Sequence, residues 1–257
     1  MRRVETNRHV QITQMKLDIL AIAAHPDDAE LSCAGTLLVH KKLGQKIGIL
    51  DLTRGELGSR GSIEIRAEES KRAAEILQLD LRDNLGFKDG FFANDEAHKM
   101  ALIQKIRQYQ PTIVLANAPS DRHPDHGRAS QLIKESCFLA GLIKIETTLD
   151  GKAQQAWRPK KVFFYIQDMY IEPHFVIDIS KVFEQKMESI LAYGSQFFSK
   201  DGGPKTYISS DEYVNMIKYR NALMGKKIGS AYGEGFVLGE SHLGLHDFTN
   251  LCIPELV

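Results

Sequence analysis

Two short segments concentrate the chemistry-capable side chains of this chain: Ala24-His25-Pro26-Asp27-Asp28 and Asp121-Arg122-His123-Pro124-Asp125-His126. A hydrolytic zinc site takes three protein ligands of the histidine and carboxylate kind and keeps one position open for water, whose pKa then falls to about 7. His25, Asp28 and His126 can supply such a triad. Asp27 is then left beside the metal, able to accept a proton from the water. His123 is left able to donate a hydrogen bond or a proton to a developing oxyanion or a leaving amine. Asp125 can orient a ring nitrogen of one of these histidines. Each segment alone is as readily a helix cap or a polar turn stiffened by proline. Two of them, each following a strand, favour a site.

The elements that must carry these loops are legible from periodicity. Leu17 to Ala24 is a short apolar run, Glu30 to Leu43 has helical spacing, and Gly44 ends it. Lys46 to Leu52 reads as a strand, Ile63 to Leu79 as a helix, Leu81 to Phe87 as a strand and Asp95 to Tyr109 as a helix. Thr112 to Ala116 is the next strand, and His126 to Ile143 the next helix. Alternation of this kind implies a parallel sheet covered on both faces, a Rossmann-like three-layer α/β fold in which ligands bind beyond the carboxyl ends of the strands. The glycine fingerprint of dinucleotide binding is missing from the first βα turn. From about residue 150 the rhythm changes. Val162 to Gln167 and Phe175 to Ile179 read as strands, Ser180 to Phe197 and Asp211 to Lys226 as helices, with a loop at Asp201 to Pro204. The expectation is one domain over 16–257, in which 150–257 is an elaboration that closes the pocket or builds subunit contacts. Residues 1–15 are polar and aperiodic and are expected to be a disordered extension.

Composition excludes several classes of partner. Lys plus Arg and Asp plus Glu are 33 each, so no global field attracts nucleic acid or an anionic membrane. No apolar run approaches the roughly 20 residues that span a bilayer. Cys33, Cys137 and Cys252 are odd in number and without a CxxC pair, which points to a reducing, cytoplasmic setting.

AHPDD followed by HPDH resembles the LmbE/PIG-L-type zinc N-acetylglucosamine deacetylases. The resemblance implies His25, Asp28 and His126 as zinc ligands, Asp27 as general base and His123 as the residue assisting the transition state. Zinc is the implied cofactor; Fe2+ or cobalt suits the same ligands. Similarity to the bacillithiol-biosynthesis branch extends through DRHPDHG (121–127), FVIDIS (175–180), Ser195-Gln196-Phe197 and YGEGF (232–236). That branch implies GlcNAc-malate as substrate and a homo-oligomer such as a hexamer. Another GlcNAc conjugate, a chito-oligosaccharide, or a sugar-binding protein without activity are the alternatives. Arg66 matches a family arginine that reaches the sugar, and Asp89 sits where the branch has a pocket aspartate; each could instead be a surface ion pair. Arg54, in a site-facing loop, is assigned no role, and Arg122 is expected to brace Asp121 and Asp125, with binding of a substrate carboxylate as the alternative. His174, His242 and His246 are read as surface or structural histidines, and Trp157 as packing where a strand begins.

Overall fold

A computed structural model describes residues 15–197, 203–240 and 242–244. Residues 1–14 of the expected extension, Asp201, Gly202, His246 and Cys252 lie outside the described residues. The elements run β1 (Ile19–Ala23), α1 (Asp28–Lys42), β2 (Ile47–Thr53), α2 (Ile63–Leu77), β3 (Leu81–Phe87), α3 (Glu96–Tyr109), β4 (Ile113–Ala116) and α4 (Pro124–Leu139). A two-stranded ribbon, β5 (Thr148–Leu149) and β6 (Lys152–Ala153), precedes β7 (Lys161–Tyr165) and β8 (Phe175–Asp178). A 3-10 turn (Ser180–Val182), α5 (Phe183–Leu191), α6 (Gly194–Phe197), α7 (Asp211–Lys227) and β9 (Gly233–Leu238) follow.

The main sheet has seven strands in the order β3-β2-β1-β4-β7-β9-β8. β1 pairs in parallel with both β2 and β4, and β4 in parallel with β7. β9 runs antiparallel to β7 and β8. Every residue of β1 and β2 is buried, as helices on both faces require. Alternate β1 residues divide between two cores. Ile19, Ala21 and Ala23 pack with α1, α2, α5 and α7 residues such as Leu37, Leu77, Ile190 and Ile217. Leu20 and Ile22 pack with α3 and α4 residues such as Leu102, Ile106 and Leu132. Local chemistry sets the helix starts: Ser62, Asp95 and Ser210 accept from Ile65, His98 and Tyr213 backbone N–H groups, satisfying donors that a helix leaves orphaned.

Several boundaries differ from the sequence expectation. The helix expected over 180–197 is three pieces, the 3-10 turn, α5 and α6. α4 starts at Pro124 rather than His126, because proline preset at φ near −65° suits the first helical position. The strand β9 escaped notice since its sequence, GEGFVL, has two glycines and a buried glutamate in place of an apolar alternation. Gly233 is sterically required, and Gly235 is tightly packed. A Cβ at Gly233 would lie 2.5 Å from Val176 and 3.0 Å from the Gly225 nitrogen, so α7 sits directly on the strand. Residues beyond 150 thus supply three strands of the one sheet.

Candidate active site at the switch point of the sheet

Sheet order places β1 next to β4, while the connections from these strands leave in opposite directions. That arrangement opens a crevice at their carboxyl ends. The loop after β1 and the loop after β4 meet there and are tied by a side chain: Ala24 N–H donates to Asn117 Oδ1 at 2.9 Å. The result is a cavity of about 340 Å3 lined by His25, Asp27, Asp28, Arg66, His123 and His126, among others.

Asp28 stands between two histidines. Its Oδ1 is 3.2 Å from His126 Nε2 and its Oδ2 is 3.4 Å from His25 Nδ1. Two amides aim the carboxylate: Gln167 Nε2 donates to Oδ1 at 2.6 Å and Asn117 Nδ2 to Oδ2 at 3.1 Å. The far ring nitrogens are also engaged. His126 Nδ1 is 2.5 Å from Asp121 Oδ2. His25 Nε2 is 3.0 Å from Asp89 Oδ1 and 3.3 Å from Asp125 Oδ2. Carboxylates that hold the outer nitrogen leave the inner one aimed at Asp28, the usual support of a metal-binding imidazole. A mixed nitrogen and oxygen donor set of this kind suits zinc or iron. The nitrogens of His25, His123 and His126 can also be chosen within 4.8 Å of one another, so His123 competes with Asp28 for the third ligand position.

Charge on the site is set by burial against close partners. Burial opposes protonation of His126, yet the Asp28 charge and the Asp121 bond outweigh it and raise its pKa to about 9. Burial likewise opposes charge on His25, and its bonds to Asp125, Asp28 and Asp89 raise it well above the usual value. The site therefore attracts positive charge, which a divalent cation can provide in place of those protons.

Asp27 occupies the N-cap position of α1 at φ 111°, in the left-handed region, and its side chain makes no cap bond. It is buried, 3.1 Å from Arg66 Nη2. Burial pushes its pKa to about 7, with the Asp28 charge adding and Arg66 opposing. Arg66 is buried, its Nη2 also donating to the Pro26 carbonyl and its Nη1 to Gln196 Oε1 at 3.4 Å. The surface ion-pair alternative fails for both pocket residues: Arg66 grips the loop that carries Asp27, and Asp89, also buried, bonds His25 and accepts the Leu57 N–H at 3.0 Å.

His123 is the N-cap of α4, its Nδ1 accepting from Asp125 N–H at 3.3 Å. A neutral imidazole accepting at Nδ1 carries its proton on Nε2. Burial and the neighbouring His25 and His126 charges lower its pKa, favouring that neutral donor. Asp125 is buried and held by Arg128 Nη1 at 2.5 Å and by Gly90 N–H at 2.8 Å. Arg122 braces neither Asp121 nor Asp125. It pairs with Asp168 at 2.8 Å and lies 4.2 Å over the Tyr207 ring at the pocket rim, since Asp121 is already engaged by His126 and by the Met169 N–H.

Sequence reading missed Asn117, Asp121 and Gln167 as orienting residues. Asp121 carries a signal, five residues before His126 in the same loop. Gln167 has none, because its role exists only where the end of β7 meets α1. Trp157 donates from Nε1 to the Pro111 carbonyl at 2.8 Å, and His174 Nδ1 accepts the Leu238 N–H; both are structural contacts remote from the pocket.

The diacetylchitobiose deacetylase of Thermococcus kodakarensis is 31% identical over 194 residues, covering 70% of each chain. A probable N-acetyl-alpha-D-glucosaminyl L-malate deacetylase 2 of Bacillus anthracis is 27% identical, covering 71% of this chain and 82% of that one. Among solved structures, the conserved protein TT1542 of Thermus thermophilus superposes with a TM-score of 0.78 at 40% identity, covering 90% of this chain and 98% of the other. The PIG-L family model, described as GlcNAc-PI de-N-acetylase, matches residues 20–137, the stretch from β1 to α4 that holds both histidine loops. With the family model spanning both loops and the Thermococcus relative 31% identical over 70% of this chain, the chain belongs to the PIG-L deacetylase family.

Proposed function

We propose that the protein is a divalent-metal-dependent hydrolase that removes the acetyl group from an N-acetylglucosamine conjugate, with GlcNAc-malate as the substrate. Asp27 carries the reading. A left-handed backbone at a non-glycine residue costs on the order of 1–3 kcal/mol, and here it secures no cap bond and buries a carboxylate. Such strain is intelligible as the means of presenting that carboxylate to a reacting molecule.

His25, Asp28 and His126 would hold the cation. When bound, it supplies Lewis acidity toward the acetamide carbonyl and the attacking water. Asp27 takes the proton that water gives up, and Arg66 fixes the orientation of the carboxylate. His123, with its proton on Nε2, donates a hydrogen bond to the oxygen that becomes anionic and steadies the departing nitrogen, which leaves as the amine with the proton that Asp27 took from the water. Asp125 and Asp121 keep the two ligand imidazoles in register. The pocket walls exclude bulk water and orient the sugar against these groups.

Support for the malate conjugate comes from the Bacillus relatives. The chitobiose enzyme, at higher identity, supports a second reading in which a second sugar takes the aglycone position. An amine-release assay on GlcNAc-malate, free GlcNAc, its methyl glycoside and diacetylchitobiose, with zinc-loaded enzyme, separates them. The malate conjugate is expected to lead by at least roughly tenfold in kcat/KM, since one charge-assisted hydrogen bond to a malate carboxylate contributes about 1.5–3 kcal/mol. A lead for chitobiose would reject the malate assignment, and no release from any of the four would reject the deacetylase.

A further inference from the structure

Helix α7 packs one face and leaves the other bare. Tyr213, Ile217, Asn221 and Met224, at helical spacing, are buried, and at Gly225 a Cβ would lie 2.6 Å from the Tyr232 nitrogen, so the helix rests on the chain entering β9. The outer face carries Glu212, Asn215, Tyr219, Leu223 and Lys226, all exposed. Acidic residues in the first turn and basic ones in the last are what the helix dipole favours, so these charges alone say little. The dipole does not account for the middle of that face, where Tyr219 is 72% exposed and Leu223 50%. Nor are the end charges matched: neither Glu212 nor Lys226 has an ion-pair partner among the described residues.

The order of these residues is self-complementary. Tyr219 lies seven residues after Glu212 and seven before Lys226, about two helical turns either way. A two-fold axis at Tyr219 relating two antiparallel copies therefore sets Glu212 of each against Lys226 of the partner subunit, with the two Tyr219 rings together and Leu223 against Asn215 beside them. Within one chain Glu212 and Lys226 are about 21 Å apart along the helix axis and cannot meet. An isologous contact requires a patch that complements itself, and an aromatic centre with a polar rim is the usual composition of an interface. Tyr170, 54% exposed, continues this surface past the end of α7, where Lys227 Nζ lies 5.9 Å from its ring centroid.

We infer that the outer face of α7 is the surface through which two copies of this chain associate, antiparallel and about a two-fold axis at Tyr219. The occupant is a second copy because the patch supplies its own complement, in sign and in position, at both ends. The same helix carries Tyr213, which lines the pocket. A second α7 laid along the outer face braces that pocket wall from behind.

Sedimentation velocity on the zinc-loaded full chain tests this with Glu212→Lys, Lys226→Glu, the two combined in one chain, and Tyr219→Ala. All three positions are exposed, so the fold is expected to hold, and far-ultraviolet circular dichroism of each variant checks it. Each single charge variant sets like charges against each other at both ends of the contact and should raise the dissociation constant by at least roughly tenfold. Loss of the central aromatic in Tyr219→Ala should do the same. An equimolar mixture of the Glu212→Lys and Lys226→Glu chains should associate as the parent does, because every lysine at these positions then faces a glutamate, and so should the combined variant. Should the parent form a larger assembly, the single variants are expected to break it into smaller units and the mixture to rebuild it. A monomeric parent, charge variants that assemble as the parent does, or a mixture no better associated than its two components would each overturn the inference.

Discussion

At the scale of single residues, the contacts made by each side chain in the loops after β1 and β4 distinguish the proposed ligands from the groups proposed to react. Asp27 bonds no histidine and pairs with Arg66, whereas Asp28 faces two imidazoles. Asp27→Asn should therefore keep a stoichiometric metal ion by elemental analysis while kcat falls by on the order of 10²-fold or more, the scale of a positioned general base. Near-parental turnover would remove Asp27 from the mechanism. The competing ligand sets are resolved by a pair of variants. Asp28→Ala should lose the metal, because a hydrolytic site needs three protein ligands. His123→Ala should retain it, because His123 is committed to the α4 cap and supplies only a donor. Metal lost from His123→Ala and kept by Asp28→Ala would transfer the ligand role to His123.

At the scale of elements, α1 bears Asp28 at its start and is pinned midway by the last strand. The Gly35 and Thr36 N–H groups donate to the Glu234 carboxylate at 2.9 and 2.6 Å. Lys186 Nζ of α5 pairs with Glu234 at 2.6 Å, both side chains fully buried. Arg220 Nη2 of α7 donates to the Leu31 carbonyl at 2.6 Å. The YGEGF segment is thus where β9, α5 and α7 clamp the helix that begins the site. Removing one partner of a buried pair leaves the other charge uncompensated. Glu234→Ala should lower unfolding stability by about 3–5 kcal/mol in a denaturant titration at fixed zinc. A loss within the roughly 0.5 kcal/mol typical of a surface substitution would mean that water reaches Lys186.

At the scale of the whole molecule, the site joins segments from both halves of the chain: His25 and Asp28 from the first βα unit, His126 from the fourth, Gln167 after β7. A cation held between such distant segments binds the folded chain and not the unfolded one, so it stabilises the fold by mass action, by about 2.7 kcal/mol at 100-fold excess over Kd. For a chain of this length that corresponds to a melting temperature higher by roughly 5–10 °C. Scanning calorimetry of zinc-loaded and EDTA-treated protein should show this shift, and it should be absent from Asp28→Ala. An unchanged midpoint in the parent would argue that no ion bridges the two loops. Among the described residues no helix is long and apolar enough to cross a membrane.

The sequence alone determined the parallel β/α series through residue 139, because buried strands such as ILAIA and IGILDLT and amphipathic helices such as 96–109 announce themselves by local spacing. It also marked both histidine loops, since each is a short run of polar residues directly after an apolar strand. Only the tertiary structure decided how these loops share one site. The choice of which nitrogen faces Asp28 belongs to Asp89, Asp121 and Asp125, and the aim of Asp28 itself to Asn117 and Gln167. Gln167 lies 139 residues from the side chain it orients. Strand β9 was hidden for a related reason. Gly233 and Gly235 answer to α7 and to neighbouring side chains packed against them, and Glu234 to a helix about two hundred residues earlier in the chain. Pattern along a chain reports burial against a neighbour of regular period. It is silent where a residue's identity is dictated by a single distant contact.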